Sequence, residues 1–282
     1  MSEAIAGRPD DKTSMRDSEP PRAAQTAPRG SAARHDVWFG HTVWTICKRE
    51  LGSYFNAPLA YILICVTLVA MGIYFFWFDG GVWQADRASV GRLMTFIPLV
   101  LSLLTIPLFT MRALSEEKRM GTIELLITMP VKDSEVILGK YFAALLIVGV
   151  QLLLLAAYPI VMFKMFHLGA FDWGPFWSGM LGLVLLSAAG IAIGLMYSSM
   201  TDSQILAFFA TSVTLTALYA IGYVVQFVQG GFGEFLAFFS FQSRYEPFAR
   251  GLIDSRAIVY FLSVAILATL VSFRNLESRK WS

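Results

Sequence analysis

Residues 141–163, YFAALLIVGVQLLLLAAYPIVMF, decide the fold, because they contain no Asp, Glu, Lys, Arg or His. An apolar stretch of about 17–25 residues is long enough to cross the roughly 30 Å hydrocarbon core of a membrane as a helix. The apolar residues are continuous and do not alternate with polar ones, which favours a helix over a strand of a barrel. We therefore predict that the chain crosses a membrane here.

Similar apolar stretches lie on both sides of this one. Hydrophobic residues make up 56% of the 282 residues and charged residues only 15%, whereas soluble domains have roughly 25% charged residues. The sequence therefore predicts an all-α integral membrane protein with six transmembrane helices, with kinks at Pro98, Pro107 and Pro159. The predicted spans are residues 58–78, 93–113, 136–163, 179–200, 205–228 and 257–273.

The first part of the chain differs from the rest. Residues 1–36 are rich in Ala, Pro, Arg and Ser and contain no apolar run, so we predict a disordered tail followed by one membrane domain over residues 37–282. If this tail is cytoplasmic, 16 of the 22 Lys and Arg residues fall on the cytoplasmic side. Because positive charge accumulates on that side, both termini are predicted to be cytoplasmic.

Residues 41–56 precede the first span and have two different faces. Apolar residues from Val43 to Phe55 share one arc of a helical wheel, and polar residues lie opposite. This pattern predicts an amphipathic helix at the membrane boundary, although a water-exposed extension of the first span is the alternative. The residues that we assign to this interfacial helix are Trp44, Lys48, Arg49, Glu50 and Leu51.

Residues 229–256, between the last two spans, contain an apolar stretch that is too short to cross the membrane. Glycines at 230, 231 and 233 would allow a tight turn. A short re-entrant element and an ordinary aromatic belt at a helix end both fit this pattern. The aromatic residues concerned are Phe232, Phe235, Phe238, Phe239 and Phe241.

Ionisable residues are nearly absent from the predicted spans. Ion-coupled transporters and intramembrane hydrolases need such groups inside the membrane, so both classes are disfavoured. The sequence also lacks the GxxxxGK[ST] motif of a nucleotide-binding loop. We therefore expect no catalytic, cofactor-binding or metal-binding residues in this chain, and the net charge of +2 gives no indication of nucleic-acid binding.

The loop after the second span carries the most informative motif, in residues 110–141. The second span is predicted to continue as a helix and to end at a capping glycine, Gly121. A short helix should follow over residues 122–128 and stop before Pro130. Its apolar residues suit either a groove on a partner protein or the lipid surface. These apolar residues are Ile123, Leu125, Leu126 and Ile127.

This loop resembles the coupling segment of type 2 ABC transporter permeases. Their pattern is an acidic pair, a basic residue, Gly-Thr, Glu-Leu-Leu and Thr-x-Pro. Residues 194–204 and 248–260 are also similar to that family, and the closest branch is the gliding-motility-associated permeases. The matching loop residues are Glu116, Glu117, Lys118, Gly121, Thr122, Glu124, Leu125, Leu126, Thr128 and Pro130, with Ile123 inside the same segment.

The resemblance implies several partners. Such permeases form homodimers or heterodimers in the bacterial inner membrane, and they bind a separate ABC ATP-binding subunit that holds ATP and Mg²⁺. An auxiliary extracytoplasmic subunit is a further expectation. The chain would then be a non-catalytic exporter subunit, or a membrane anchor and energy transducer of a motility or secretion assembly.

Overall fold

The computed structural model describes residues 39–77, 90–121, 133–166, 173–228 and 230–278. Every regular element in these ranges is helical, which confirms the predicted all-α class. The helices are α1 (Phe39–Asn56), α2 (Pro58–Trp77), α3 (Val90–Val100), a π-helical turn (Leu101–Thr105), α4 (Ile106–Thr110), α5 (Ser115–Arg119), α6 (Asp133–Phe166), α7 (Trp173–Met200), α8 (Gln204–Val225), α9 (Gly231–Phe239), α10 (Phe241–Ala249) and α11 (Ser255–Ser278).

Candidate membrane spans follow from helix length and hydropathy. In the described ranges, five continuous helical segments can cross a membrane, and α1 with α2 forms a bent pair that would be a sixth. The bend between α1 and α2 is 73°, so α1 is not a straight extension of the first span. The five segments are Met94–Arg119, Asp133–Val161, Trp173–Met200, Gln204–Val225 and Ser255–Ser278.

The second span contains a π-helical turn between its two prolines. A π-helical turn separates α3 from α4, with the Ile106 N–H bonded to the Leu101 carbonyl. Pro107 has no N–H to donate to the carbonyl of Leu103, four residues earlier, and the Ser212 hydroxyl of α8 donates to that carbonyl at 2.8 Å. A neighbouring helix therefore satisfies a backbone group that the proline leaves open inside the membrane.

Two more hydrogen bonds hold the second span against its neighbours. The Tyr219 hydroxyl of α8 donates to the Thr95 carbonyl, 2.7 Å away, in the turn before Pro98. The Gln151 amide of α6 donates to the Thr105 hydroxyl in the π-helical turn at 3.3 Å. Irregular backbone at membrane depth is thus stabilised by polar side chains from both sides.

The buried helix α7 packs closely against α4. Gly190 and Gly194 form a GxxxG pair on α7, a spacing that lets two helix backbones approach closely. A Cβ atom at Gly190 would lie 2.9 Å from Ile106 Cδ1, and one at Gly194 would lie 2.7 Å from Thr110 Cβ. The contact at Gly194 is with an atom next to the Thr110 backbone, so glycine is needed there, whereas at Gly190 the end of the Ile106 side chain could shift to admit a methyl group.

We expect Gly194→Ala to destabilise the protein by about 1–3 kcal/mol, because the added methyl group overpacks the contact with Thr110. Thermal unfolding of the detergent-solubilised protein measures the loss. Gly149→Ala is the matched control, since a Cβ at Gly149 of α6 has no atom within 4 Å. Equal stability of the two variants would show that the α4–α7 contact is not tight.

The segment before the last span forms two short helices. The turn that precedes α9 uses Gly230 at φ 95°, as the glycine pattern predicts. Phe232 and Phe235 of α9 are exposed. By contrast, Phe241 and Phe248 of α10 are fully buried, so the phenylalanines do not form one continuous belt.

Candidate functional site

An ion-paired cluster joins α1, α5 and α6. The Lys140 ammonium lies 2.7 Å from a Glu117 carboxylate oxygen and 3.3 Å from a Glu50 carboxylate oxygen. The side chain of Lys140 is only 4% exposed, and those of Glu50 and Glu117 are 18% and 19% exposed. The ammonium and the two carboxylates are all largely removed from water. Each charge therefore needs its oppositely charged partner to offset the free-energy cost of burial. We call Glu50, Glu117 and Lys140 the ion-paired cluster.

A second lysine of α5 links this helix to α7. The Lys118 ammonium donates to the Ser199 carbonyl in the last turn of α7. It also lies 4.0 Å from a carboxylate oxygen of Asp202, in the turn between α7 and α8. A cation suits this position because the carbonyl groups at a helix C-terminus carry partial negative charge. Lys118 therefore stabilises the end of a neighbouring helix, besides lying near the end of its own.

The beginning of α5 is anchored to the same part of α7. The backbone N–H groups of Leu114 and Ser115 donate to the Ser198 hydroxyl at 3.0 and 3.1 Å. The first N–H groups of a helix have no partner within it, so Ser198 supplies one. The Asn275 amide of α11 donates to the Ser199 hydroxyl at 3.1 Å. α5 is thus fixed to α7 at both of its ends, and α11 joins the same corner.

Helix α1 has an exposed polar face and a largely buried apolar face, as the sequence predicts, with Trp44 of the apolar arc as an exception; its place at the membrane boundary stays a prediction. Lys48 and Arg49 are exposed, and Trp44 is 61% exposed. Cys47 is buried, and Leu51 packs against the main apolar core. The buried face of α1 packs against α6. The amphipathic pattern of α1 predicts a buried face but does not show which helix covers it.

The contact between α1 and α6 is close. A Cβ atom at Gly139 would lie 2.6 Å from Ile46 Cγ2.

A second contact joins α1 to α4. The Tyr54 hydroxyl, near the end of α1, donates to the Phe109 carbonyl at 2.9 Å. Burial raises the pKa of the Tyr54 hydroxyl above its usual range, and the nearby Glu50 carboxylate adds to this effect. The hydrogen bond from Tyr54 joins the end of α1 to α4.

The predicted coupling residues fall into two groups. Glu117 and Lys118 make the contacts described above, and Glu116 lines a cavity beside α1. Gly121 has φ 70°, the left-handed conformation of a helix-ending glycine, as its predicted capping role requires. The remaining residues lie outside the described ranges, and their role stays a prediction: Thr122, Ile123, Glu124, Leu125, Leu126, Thr128 and Pro130.

Lys140 is the site residue that sequence analysis missed. It lies inside the predicted span over residues 136–163, at the fifth position. A single ionisable residue inside a predicted span usually has a specific partner or a functional role. The position of Lys140 inside the third predicted span could therefore have indicated a site. Its partners, Glu50 and Glu117, are 90 and 23 positions away in the chain, so their contact could not be read from local spacing.

These features define a multi-pass helical membrane protein whose second span contains a π-helical turn and whose α1, α5 and α6 meet at an ion-paired corner. A family model described as "ABC-2 family transporter protein" matches residues 84–273. This match covers well over half of the chain, so the protein belongs to the ABC-2 family of transporter proteins and is a membrane permease of the ABC transporter class. A comparison with curated proteins gave no match. The assignment to the gliding-motility-associated branch stays a prediction.

Proposed function

We propose that this chain is the transmembrane subunit of an ATP-driven exporter. A separate ABC ATPase subunit would bind the corner that carries α1 and α5, and it would contact residues 122–130. The observation that best supports this proposal is the ion-paired cluster, in which the buried Lys140 ammonium holds Glu50 of α1 and Glu117 of α5. The family resemblance assigns the ATPase contact to the amphipathic helix before the first span, which is α1, and to the short helix predicted over residues 122–128, which follows α5.

The proposed mechanism is mechanical. A displacement of residues 122–130 would reach α5 through Gly121. From α5 it would pass to α6 and α1 through Glu117 and Lys140, and to α7 through Lys118. It would also enter the second span, where the π-helical turn is a natural place for the helix to bend. ATP and Mg²⁺ would be bound by the partner, and this chain would provide the moving spans.

The proposed assembly contains two permease chains, which are either two copies of this chain or this chain and a paralogue. The path for the substrate would lie between them, because six helices alone enclose little space. We further propose a bacterial inner-membrane location with both termini in the cytosol, and the possible addition of an extracytoplasmic subunit.

Co-expression of this chain with a candidate ABC ATPase tests the proposed function. We expect the two proteins to purify together in detergent and to hydrolyse ATP. Stimulation of hydrolysis by a cargo molecule would support an exporter. Hydrolysis linked to movement of an assembly without any cargo would instead support the energy-transducer alternative. A permease that never retains the ATPase would contradict both.

The proposed topology predicts which positions a membrane-impermeant thiol reagent can reach. Single cysteines at Ser18 and Ser278 should react only after the cells are opened, and cysteines at Gln84 and Arg250 should react in intact cells, because most basic residues lie on the cytoplasmic side. Arg250 is a suitable position because its side chain is 70% exposed. The background variant replaces Cys47 and Cys65 by Ser. A cysteine at Ser278 that reacts in intact cells would overturn this topology.

A further inference from the structure

A cavity of about 350 Å³ lies at the bend between α1 and α2, and α4 and α5 form its other wall. This volume is at the lower end of the range for small-ligand sites, roughly 300–1,000 Å³. The cavity lies where the amphipathic helix α1 meets the apolar helix α2, so the predicted topology would place it at the boundary between water and hydrocarbon.

The wall formed by the second span changes character along its length. Leu108 and Phe109 of α4 give it an apolar part, Arg112 follows in the turn between α4 and α5, and Glu116 follows in α5. Leu59 and Leu63 of α2 also line the cavity. A ligand in this cavity would therefore meet apolar groups, then a cation, then an anion.

The charges on this wall are available to a ligand. Lys140 is neutralised by Glu50 and Glu117, and Arg49 adds a second cation 3.0 Å from Glu50. Within the part of the chain that the structure describes, Arg112 and Glu116 make no ion pair with each other or with another residue. The cavity thus offers one guanidinium and one carboxylate beyond the balanced cluster.

We propose that this cavity binds a phospholipid with a zwitterionic headgroup that ends in a primary amine. The order of groups in such a lipid is acyl chain, phosphate and ammonium, which matches the order Leu108, Arg112 and Glu116 along the wall. The Arg112 guanidinium binds the phosphate, as guanidinium groups commonly do. The Glu116 carboxylate accepts hydrogen bonds from the ammonium, which a trimethylammonium group cannot donate. The acyl chains lie against α2 and the end of the second span.

The test uses the full chain alone, so its failure would leave the proposed ATPase coupling unaffected. The purified protein is delipidated in detergent and titrated with dioleoyl phosphatidylethanolamine, dioleoyl phosphatidylcholine or dioleoyl phosphatidylglycerol, and bound lipids are counted by native mass spectrometry. We expect one lipid molecule to bind with a preference for the ethanolamine lipid over both others. Arg112→Gln or Glu116→Gln should weaken its binding roughly tenfold or more, because each removes a hydrogen bond to a charged group.

Two further variants separate a specific site from general lipid association. Arg112→Glu combined with Glu116→Arg keeps the net charge but reverses the order of the charges, and it should also lose the preference for the ethanolamine lipid. Arg250→Gln removes an exposed cation that does not line the cavity and should bind like the unmodified protein. Equal binding of the three lipids, or unchanged binding in the charge-reversed variant, would overturn the proposal.

Discussion

Replacing Leu125 and Leu126 together by Asp is expected to abolish co-purification of the ABC ATPase subunit while leaving membrane insertion of the permease unchanged. Burying one leucine side chain in a partner contributes roughly 1.5–3 kcal/mol, so losing two should weaken binding by at least about a hundredfold. Both residues lie between predicted spans, so insertion does not depend on them. Affinity purification of the tagged permease measures the retained ATPase.

The matched control for this variant is Leu252→Asp combined with Ile253→Asp. These two residues are adjacent and lie between α10 and α11, with 65% and 62% of their surfaces exposed. The control adds the same two charges to an apolar pair on the side that the predicted topology places away from the ATPase. It should retain the ATPase. A Leu125/Leu126 variant that keeps both the ATPase and normal function would refute the coupling role of this segment.

Replacing Lys140 by Met is expected to destabilise the permease by about 3–5 kcal/mol, which is the usual cost of removing one partner from a buried ion pair. Met has a similar length and occupies the same space, but it takes the buried cation away from the Glu117 carboxylate and leaves Glu50 only the exposed Arg49 guanidinium. Thermal unfolding in detergent measures this loss. If the ion-paired cluster also transmits motion from α5, ATP hydrolysis in the complex should become independent of cargo.

Two controls separate the lost ion pair from other effects of Lys140→Met. Lys48→Met removes an exposed lysine from α1 and should change stability by less than about 0.5 kcal/mol. Adding Glu50→Gln and Glu117→Gln to Lys140→Met removes the uncompensated charges and should restore most of the stability. A Lys140→Met variant as stable as Lys48→Met would show that the cluster contributes little.

The membrane spans could be predicted from the sequence because hydrocarbon excludes polar residues along the whole length of a spanning helix. The predicted stretch 205–228 corresponds to α8, Gln204–Val225, within three residues at either end. The third span, predicted to be long, is the 34-residue α6. At about 1.5 Å per residue, α6 measures roughly 51 Å and exceeds the thickness of the hydrocarbon core.

The prolines of the second span predicted a distortion but not its form. Pro98 and Pro107 flank the π-helical turn Leu101–Thr105. A missing N–H can be accommodated by a kink, a π turn or a side-chain donor. The choice here depends on Ser212 and Tyr219 of α8, which donate to carbonyl groups more than 100 positions earlier in the chain. Such contacts arise only when the helices are packed together.

The ion-paired corner was only partly predictable for the same reason. Residues 116–118 were identified by their resemblance to a coupling segment, and Glu50 by its place on the amphipathic helix. The sequence does not show that Lys140 joins Glu50 to Glu117, or that Lys118 reaches the end of α7. These contacts form only after helices that are distant in the sequence have packed together.

Site-specific photo-cross-linking tests the proposed coupling most directly. A photoreactive amino acid is placed at position 125 or at position 252 of the full-length chain, which is co-expressed with its candidate ABC ATPase in intact cells. We expect a cross-linked product with the ATPase from position 125 and none from position 252. A product from position 252, or none from position 125 in a complex that still purifies intact, would contradict the proposed contact.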